Sequence, residues 1–151
     1  MTAIDRPQFA TECITDAENL GAWAHYMIAV AQLRSKIDDA EKDGKFGPFM
    51  LTKDQWDQFR NQPDLSLSKD DIKSWDMQCL LFAFWTHEAH QGLVSETSQN
   101  PTAEEIYAKQ FPGEPVTGLN QALTDTADLL PSDQAVASAV TSLPVQEPSS
   151  G

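Results

Sequence analysis

At 151 residues the chain has the length of one domain, enough to bury about two-thirds of its unfolded surface. Its formal net charge of −13, with ten Lys and Arg scattered rather than clustered, excludes a nucleic-acid partner, because no basic stretch is present to displace phosphate counterions. The longest apolar run, residues 79–85, is far below the roughly 20 residues of a membrane span, which excludes a membrane-crossing role.

Residues 7–20 read as an amphipathic helix with Phe9, Cys13, Ile14, Ala17 and Leu20 at helical spacing and Gly21 as its stop. The acidic members Glu12, Asp16 and Glu18 are expected on a solvated face, with Glu18 as the one that could instead turn into a cleft. Residues 1–16 are polar and mixed in charge, unlike a signal peptide, so the chain is expected to be cytoplasmic or delivered by a dedicated phage or secretion machinery. Residues 22–37 are apolar on nearly every face (Trp23, Tyr26, Met27, Ile28, Val30, Ala31, Leu33, Ile37), the mark of a helix buried in the middle of a domain.

The charged run at 38–45 reads as an exposed loop, since its spacing fails the oxygen-ligand pattern of a calcium loop. Gly47 and Pro48 make a turn, with residues 46–51 as a short extended segment. Thr52 with Gln55 forms a capping box for a helix over 53–60 that turns Trp56 and Phe59 inward. After a turn at 61–64, Ser68 with Asp71 starts the longest helix, 69–91, with Ile72, Trp75, Met77, Leu80, Leu81, Phe84 and Trp85 as its buried stripe and Gly92 as its end.

His87 and His90 flank Glu88, inviting comparison with the zinc-protease motif, but that motif sets its histidines four apart and here they are three apart. A third ligand is needed and none stands out, His25 being the only other histidine, so a solvated helix end is expected and no metal or cofactor is assigned. Thr102 with Glu105 is another capping box, opening a helix that carries Ile106, Tyr107 and Phe111 and ends at Pro112 and Gly113. Two modest helices, 118–129 and 133–142, follow. From Leu143 the sequence turns Pro- and Ser-rich and is expected to be disordered, giving a domain over 1–142 and a tail over 143–151. Cys13 and Cys79 read as buried thiols, their redox state being open.

The run from the apolar helix through Arg34, Ser35, Gly47, Pro48, Phe49, Met50 and Trp56 resembles the core of the lysozyme-like superfamily, most closely the bacterial lytic transglycosylases and goose-type lysozymes. In that family an apolar helix ends in Glu-Ser; a short loop, Gly-Leu-Phe-Gln or Gly-Leu-Met-Gln, and a Trp follow. Glu-Ser falls on Arg34 and Ser35, and the Gly-aromatic-Gln element on residues 47–50. Residues 107–113 look like the family segment that lies over the groove. The resemblance covers roughly residues 10–125. It implies an all-α fold with at most a very small β element, and a cleft lined by Arg34, Ser35, Phe49, Met50 and Tyr107.

The two positions that carry the family chemistry differ here. Glycoside cleavage needs a proton delivered to the leaving oxygen by a carboxylic acid. Arg34 cannot deliver it, its pKa lying above about 12, and general acid catalysis is worth about 100- to 10,000-fold. No glutamate occurs between Glu18 and Glu41, so only the loop carboxylates Asp38, Asp39 or Glu41 remain as substitutes. Three readings follow: a degenerate, non-lytic lysozyme-like module that binds a peptidoglycan-type glycan or a partner protein; an active peptidoglycan-cleaving enzyme using a loop carboxylate; and an unrelated all-α interaction scaffold.

Overall fold

The computed structural model describes residues 2–146 and is mainly helical. Helix α1 spans Arg6–Leu20. The Asp5 side chain accepts from the Gln8 N–H at 3.0 Å, and Pro7 sits in the first turn, where a missing N–H costs nothing. Gly21 stops it in the left-handed region at φ 79°. Helix α2, Ala24–Ser35, is buried at every position from Ala24 to Ala31, as its all-round apolar sequence predicts. It ends where Lys36 and Ile37 both take positive φ, 60° and 58°.

The chain then makes the small β element. Strand β1 (Thr2–Ala3) pairs antiparallel with β2 (Asp38–Asp39), in register Thr2 to Asp39. Strands β3 (Glu41–Lys42), β4 (Lys45–Phe46) and β5 (Leu51–Thr52) form a three-stranded antiparallel sheet. Asp43 and Gly44, at φ 54° and 77°, are the two central residues of the β3–β4 hairpin, a turn whose two positive φ values favour an Asp-Gly pair. The expected charged loop is thus a hairpin. Helix α3, Lys53–Phe59, opens on the capping box of Thr52 and Gln55, and its Trp56 is buried.

The expected helix over 69–91 is two pieces. Lys69–Lys73 is a 3₁₀ turn capped by Ser68 and Asp71, Ser74 is extended, and helix α4 runs from Trp75 through Gly92 to Thr97. Gly92 is therefore no stop. It gives room to α5, since a Cβ there would lie 3.2 Å from Lys109 Cε. Helix α5, Ala103–Gln110, opens on its Thr102–Glu105 box, and α6 spans Leu119–Thr126. The expected helix over 133–142 is absent: Ser132–Gln134 makes a 3₁₀ turn, and the chain beyond runs without helix through a turn in which the Thr141 N–H donates to Ser138 O at 3.1 Å, with Ser142 bridging to Thr102. Leu143, expected in a disordered tail, is buried, its N–H donating to Pro101 O at 2.8 Å. Residues 147–151 of that tail lie outside the described residues.

Helix α2 packs most extensively against α6, and α4 packs mainly against α1. An aromatic cluster centred on Phe82 joins the layers: Phe49 stacks on it with ring centroids 4.3 Å apart, Tyr26 and Phe111 lie parallel further out, and Trp85 meets it edge-on. The interior also holds polar groups, each of the following with a partner. Tyr26 Oη donates to Gln110 Oε1 at 2.6 Å, and Gln110 Nε2 donates to Thr86 Oγ1. Among the described residues no helix is long and apolar enough to cross a membrane.

Candidate functional site

Arg34 sits in the last turn of α2, and only 6% of its side chain is exposed. Burying a guanidinium requires acceptors for its N–H groups and a counter-charge, and the fold supplies both. Nε donates to Phe49 O at 2.6 Å and Nη2 to Met50 O at 3.0 Å. Nη1 donates to Glu114 Oε1 at 2.5 Å and to Tyr107 Oη at 3.3 Å. The guanidinium lies over Phe111, its carbon 3.9 Å from the ring centroid. Met50 takes φ 53°, a left-handed conformation that costs a Cβ-bearing residue about 1–2 kcal/mol, in the turn that offers both carbonyls to Arg34.

Ser35 fastens the same turn from below. Its hydroxyl lies 2.7 Å from Pro48 O and 3.1 Å from Ala31 O, and it accepts the Asp38 N–H. From the other side comes Gln78 of α4, which is fully buried. Its Nε2 donates to Phe46 O and to Ile72 O, both at 2.7 Å, and its Oε1 accepts from the Phe49 N–H. A Cβ at Gly47 would run into this carboxamide, which is why a glycine at φ 77° stands there.

Of the five expected cleft residues, Arg34, Met50 and Tyr107 line one pocket of about 280 Å³, together with Leu33, Lys45 and Glu114. Phe49 and Ser35 do not line it. The Phe49 ring is wholly buried against Phe82 and Phe9, since an aromatic face with a parallel neighbour gains more inside the core than at its edge. Ser35 is spent on backbone bonds. None of the loop carboxylates is among the lining residues: Asp38 and Asp39 belong to β2 and Glu41 to the exposed β3. Burial pushes the Asp39 carboxyl above its usual range. The Tyr107 phenol is also pushed up, chiefly by burial and against the pull of the Arg34 guanidinium.

Sequence reasoning missed Glu114 and Gln78. For Glu114 the signal was present, because an arginine inside an apolar helix demands a carboxylate, and Glu114 directly follows the 107–113 segment. Glu18 lines a different cavity, of about 460 Å³, with Trp23 and the C-terminal segment. Asp16, expected in solvent, is buried among Glu12, Asp76 and the two thiols. His87 and His90, expected at a solvated helix end, are both engaged. His87 Nδ1 lies 2.9 Å from Gly21 O, and the fully buried His90 packs at a tilt against Trp23, ring centroids 4.4 Å apart. Among the described residues no group of three His, Cys, Asp or Glu is arranged to hold a metal ion.

Comparison with protein-family models, with curated proteins and with solved structures returns no match for this chain.

Proposed function

We propose that this chain is a non-lytic helical interaction module, degenerate with respect to the lysozyme-like pattern it resembles, and that its pocket at Arg34 receives a side chain of a partner protein. The observation that carries this reading is the commitment of Arg34. Nε, Nη1 and Nη2 all hold the walls of the pocket, so the position where the family keeps its proton donor serves as a structural clamp. Glu114, the one carboxylate lining the pocket among the described residues, has Oε1 engaged by both Arg34 and Tyr107.

The pocket's size and lining favour a protein partner over a glycan strand. At about 280 Å³ it holds one side chain or one sugar ring, and Tyr107, its only aromatic lining residue, is 2% exposed and presents no face for a sugar to stack on. The lytic reading keeps one observation on its side, the raised carboxyl of Asp39, which retains a proton further toward neutral pH than a solvated aspartate does.

One set of measurements separates these readings. Turbidity and oligosaccharide assays on the purified chain are expected to show no cleavage; cleavage that disappears in Asp39→Asn would restore the enzyme reading. Peptides selected on the immobilised chain are expected to lose about tenfold or more of their affinity in Lys45→Glu. Chito-oligosaccharides that shift the NMR signals of Arg34 and Tyr107, with no peptide selected, would make the module a glycan binder instead.

A further inference from the structure

The C-terminal segment, non-helical after Gln134 and folded through a turn at residues 138–141, is held by two buried histidines from separate helices. His25 of α2 is 1% exposed and meets it at Val136: the Val136 N–H donates to His25 Nδ1 at 2.7 Å, while Nε2 lies 2.8 Å from Leu123 O of α6. This pair of partners fixes the tautomer, because Nδ1 must accept and Nε2 must carry the hydrogen. His90 of α4 meets the segment at Leu143, with Nε2 2.6 Å from Leu143 O, so Nε2 is its protonated nitrogen as well. Among the described residues His90 Nδ1, which is buried, has no hydrogen-bond partner. Between these two points the segment closes one side of the 460 Å³ cavity, whose opposite wall includes Ile14, Ala17, Ala22 and Trp23.

We infer that the segment from Val136 to Gln146 is a strap that mild acid releases: a second ring proton on His25 breaks its bond to Val136, one on His90 places a buried N–H without an acceptor beside Leu143, and the segment lifts to uncover the Trp23 cavity. A proton on His25 Nδ1 would face the Val136 N–H at 2.7 Å, turning a hydrogen bond into a clash of two donors. A proton on His90 Nδ1 would be a buried donor with no acceptor. Burial lowers the pKa of both rings, which keeps the strap closed at neutral pH.

The neighbouring charges are few. On α4, His87 lies one turn before His90 and opposes a charge on it. Glu18 of α1 and Asp133, just before the strap, edge the cavity. On α6, Asp125 is bonded to Gln121. Other bonds of the strap are backbone or neutral: Ala139 N–H to Asn120 Oδ1, Glu104 N–H to Ala139 O, and Leu143 N–H to Pro101 O. With its carboxamide suitably oriented, Gln146 bridges Ala22 O and Trp23 Nε1 at 2.8 and 3.0 Å. These do not titrate, so release depends on the two rings.

The sign follows from linkage. Folded-state pKa values below the unfolded value of about 6.5 mean that the released state binds more protons, so the closed strap loses stability as pH falls through and below about 6.5. The test is hydrogen exchange of the full chain between pH 7.5 and 5, corrected for intrinsic rates. Amides of residues 136–146 are expected to lose about tenfold or more of their protection toward pH 5, while those of α2 and α4 keep theirs. The double variant His25→Asn, His90→Gln retains an acceptor for Val136 and a donor for Leu143 but cannot titrate, and its strap is expected to stay protected. Strap protection that is unchanged with pH in the wild-type chain, or lost equally in the double variant, would overturn the inference. NMR titration of the two imidazoles in the wild-type chain gives an independent check should the variant not fold, since their protonation must fall in the pH range where strap protection is lost.

Discussion

Arg34 commits one buried guanidinium to four acceptors, Phe49 O, Met50 O, Tyr107 Oη and Glu114 Oε1. Replacing it by an acid, Arg34→Glu, would remove the donors to Phe49 O, Met50 O and Glu114 and set two carboxylates together. It is expected to cost about 2–4 kcal/mol in urea unfolding and to yield no lytic activity, whereas Arg34→Lys, which keeps the charge but not the fork, costs less. Asp16 is the other residue whose surroundings decide its behaviour. Burial first, then a hydrogen bond with Glu12 and the charges of Glu12 and Asp76, push its carboxyl up to about 8. The unfolded chain gives up this proton near 3.8, so between those values the folded state binds more protons and its stability falls as pH rises. Asp16→Asn removes the effect, and its stability advantage over the wild-type chain, read by urea unfolding, is expected to grow from pH 4 to pH 8.

Local signals between neighbouring residues were the most legible ones at the level of elements. The three capping boxes at Thr52, Ser68 and Thr102 all formed, because a box depends only on residues three apart. Thr102→Ala is expected to lower stability by about 1 kcal/mol in thermal or urea melts. Helix lengths were read less well. Gly92 looked like a stop, but packing against Lys109 gives a glycine a reason to sit inside a helix. The chain after Gln134 had helical propensity, yet its backbone groups are taken by Asn120, Glu104 and His25, partners that lie 19 or more residues away and leave no trace in local spacing. Gln78 was equally invisible. A glutamine inside an apolar stripe reads as an interruption, whereas here it ties α4 to the β4 turn and to the 3₁₀ turn before it. Gln78→Leu keeps the volume but strands two buried carbonyls and an N–H, and is expected to cost about 2–4 kcal/mol.

For the whole molecule, the mainly helical fold with a very small β element was readable from the all-round apolar character of α2 and the long apolar stretch of α4. The pocket was half readable: helix-end spacing brought Arg34 and Met50 together, while Phe49 went to the core because sequence cannot say which side of a turn a ring will choose. The meeting of the two cysteines was not readable at all. Cys13 of α1 and Cys79 of α4, 66 positions apart, place their sulfurs 3.9 Å from each other with no exposure to solvent. Burial and the neighbouring thiol and carboxylates push the Cys79 thiol well above its ordinary range, so at neutral pH it stays protonated. The pair therefore works as a built-in clock for the separation of α1 from α4. A thiol-specific reagent has nothing to attack until those helices part, so the rate of labelling counts openings of the core rather than encounters at the surface. Labelling is expected to be slow in the native chain and to accelerate in Arg34→Glu and Gln78→Leu only as far as those changes open the core itself, while release of the C-terminal strap alone leaves it unchanged.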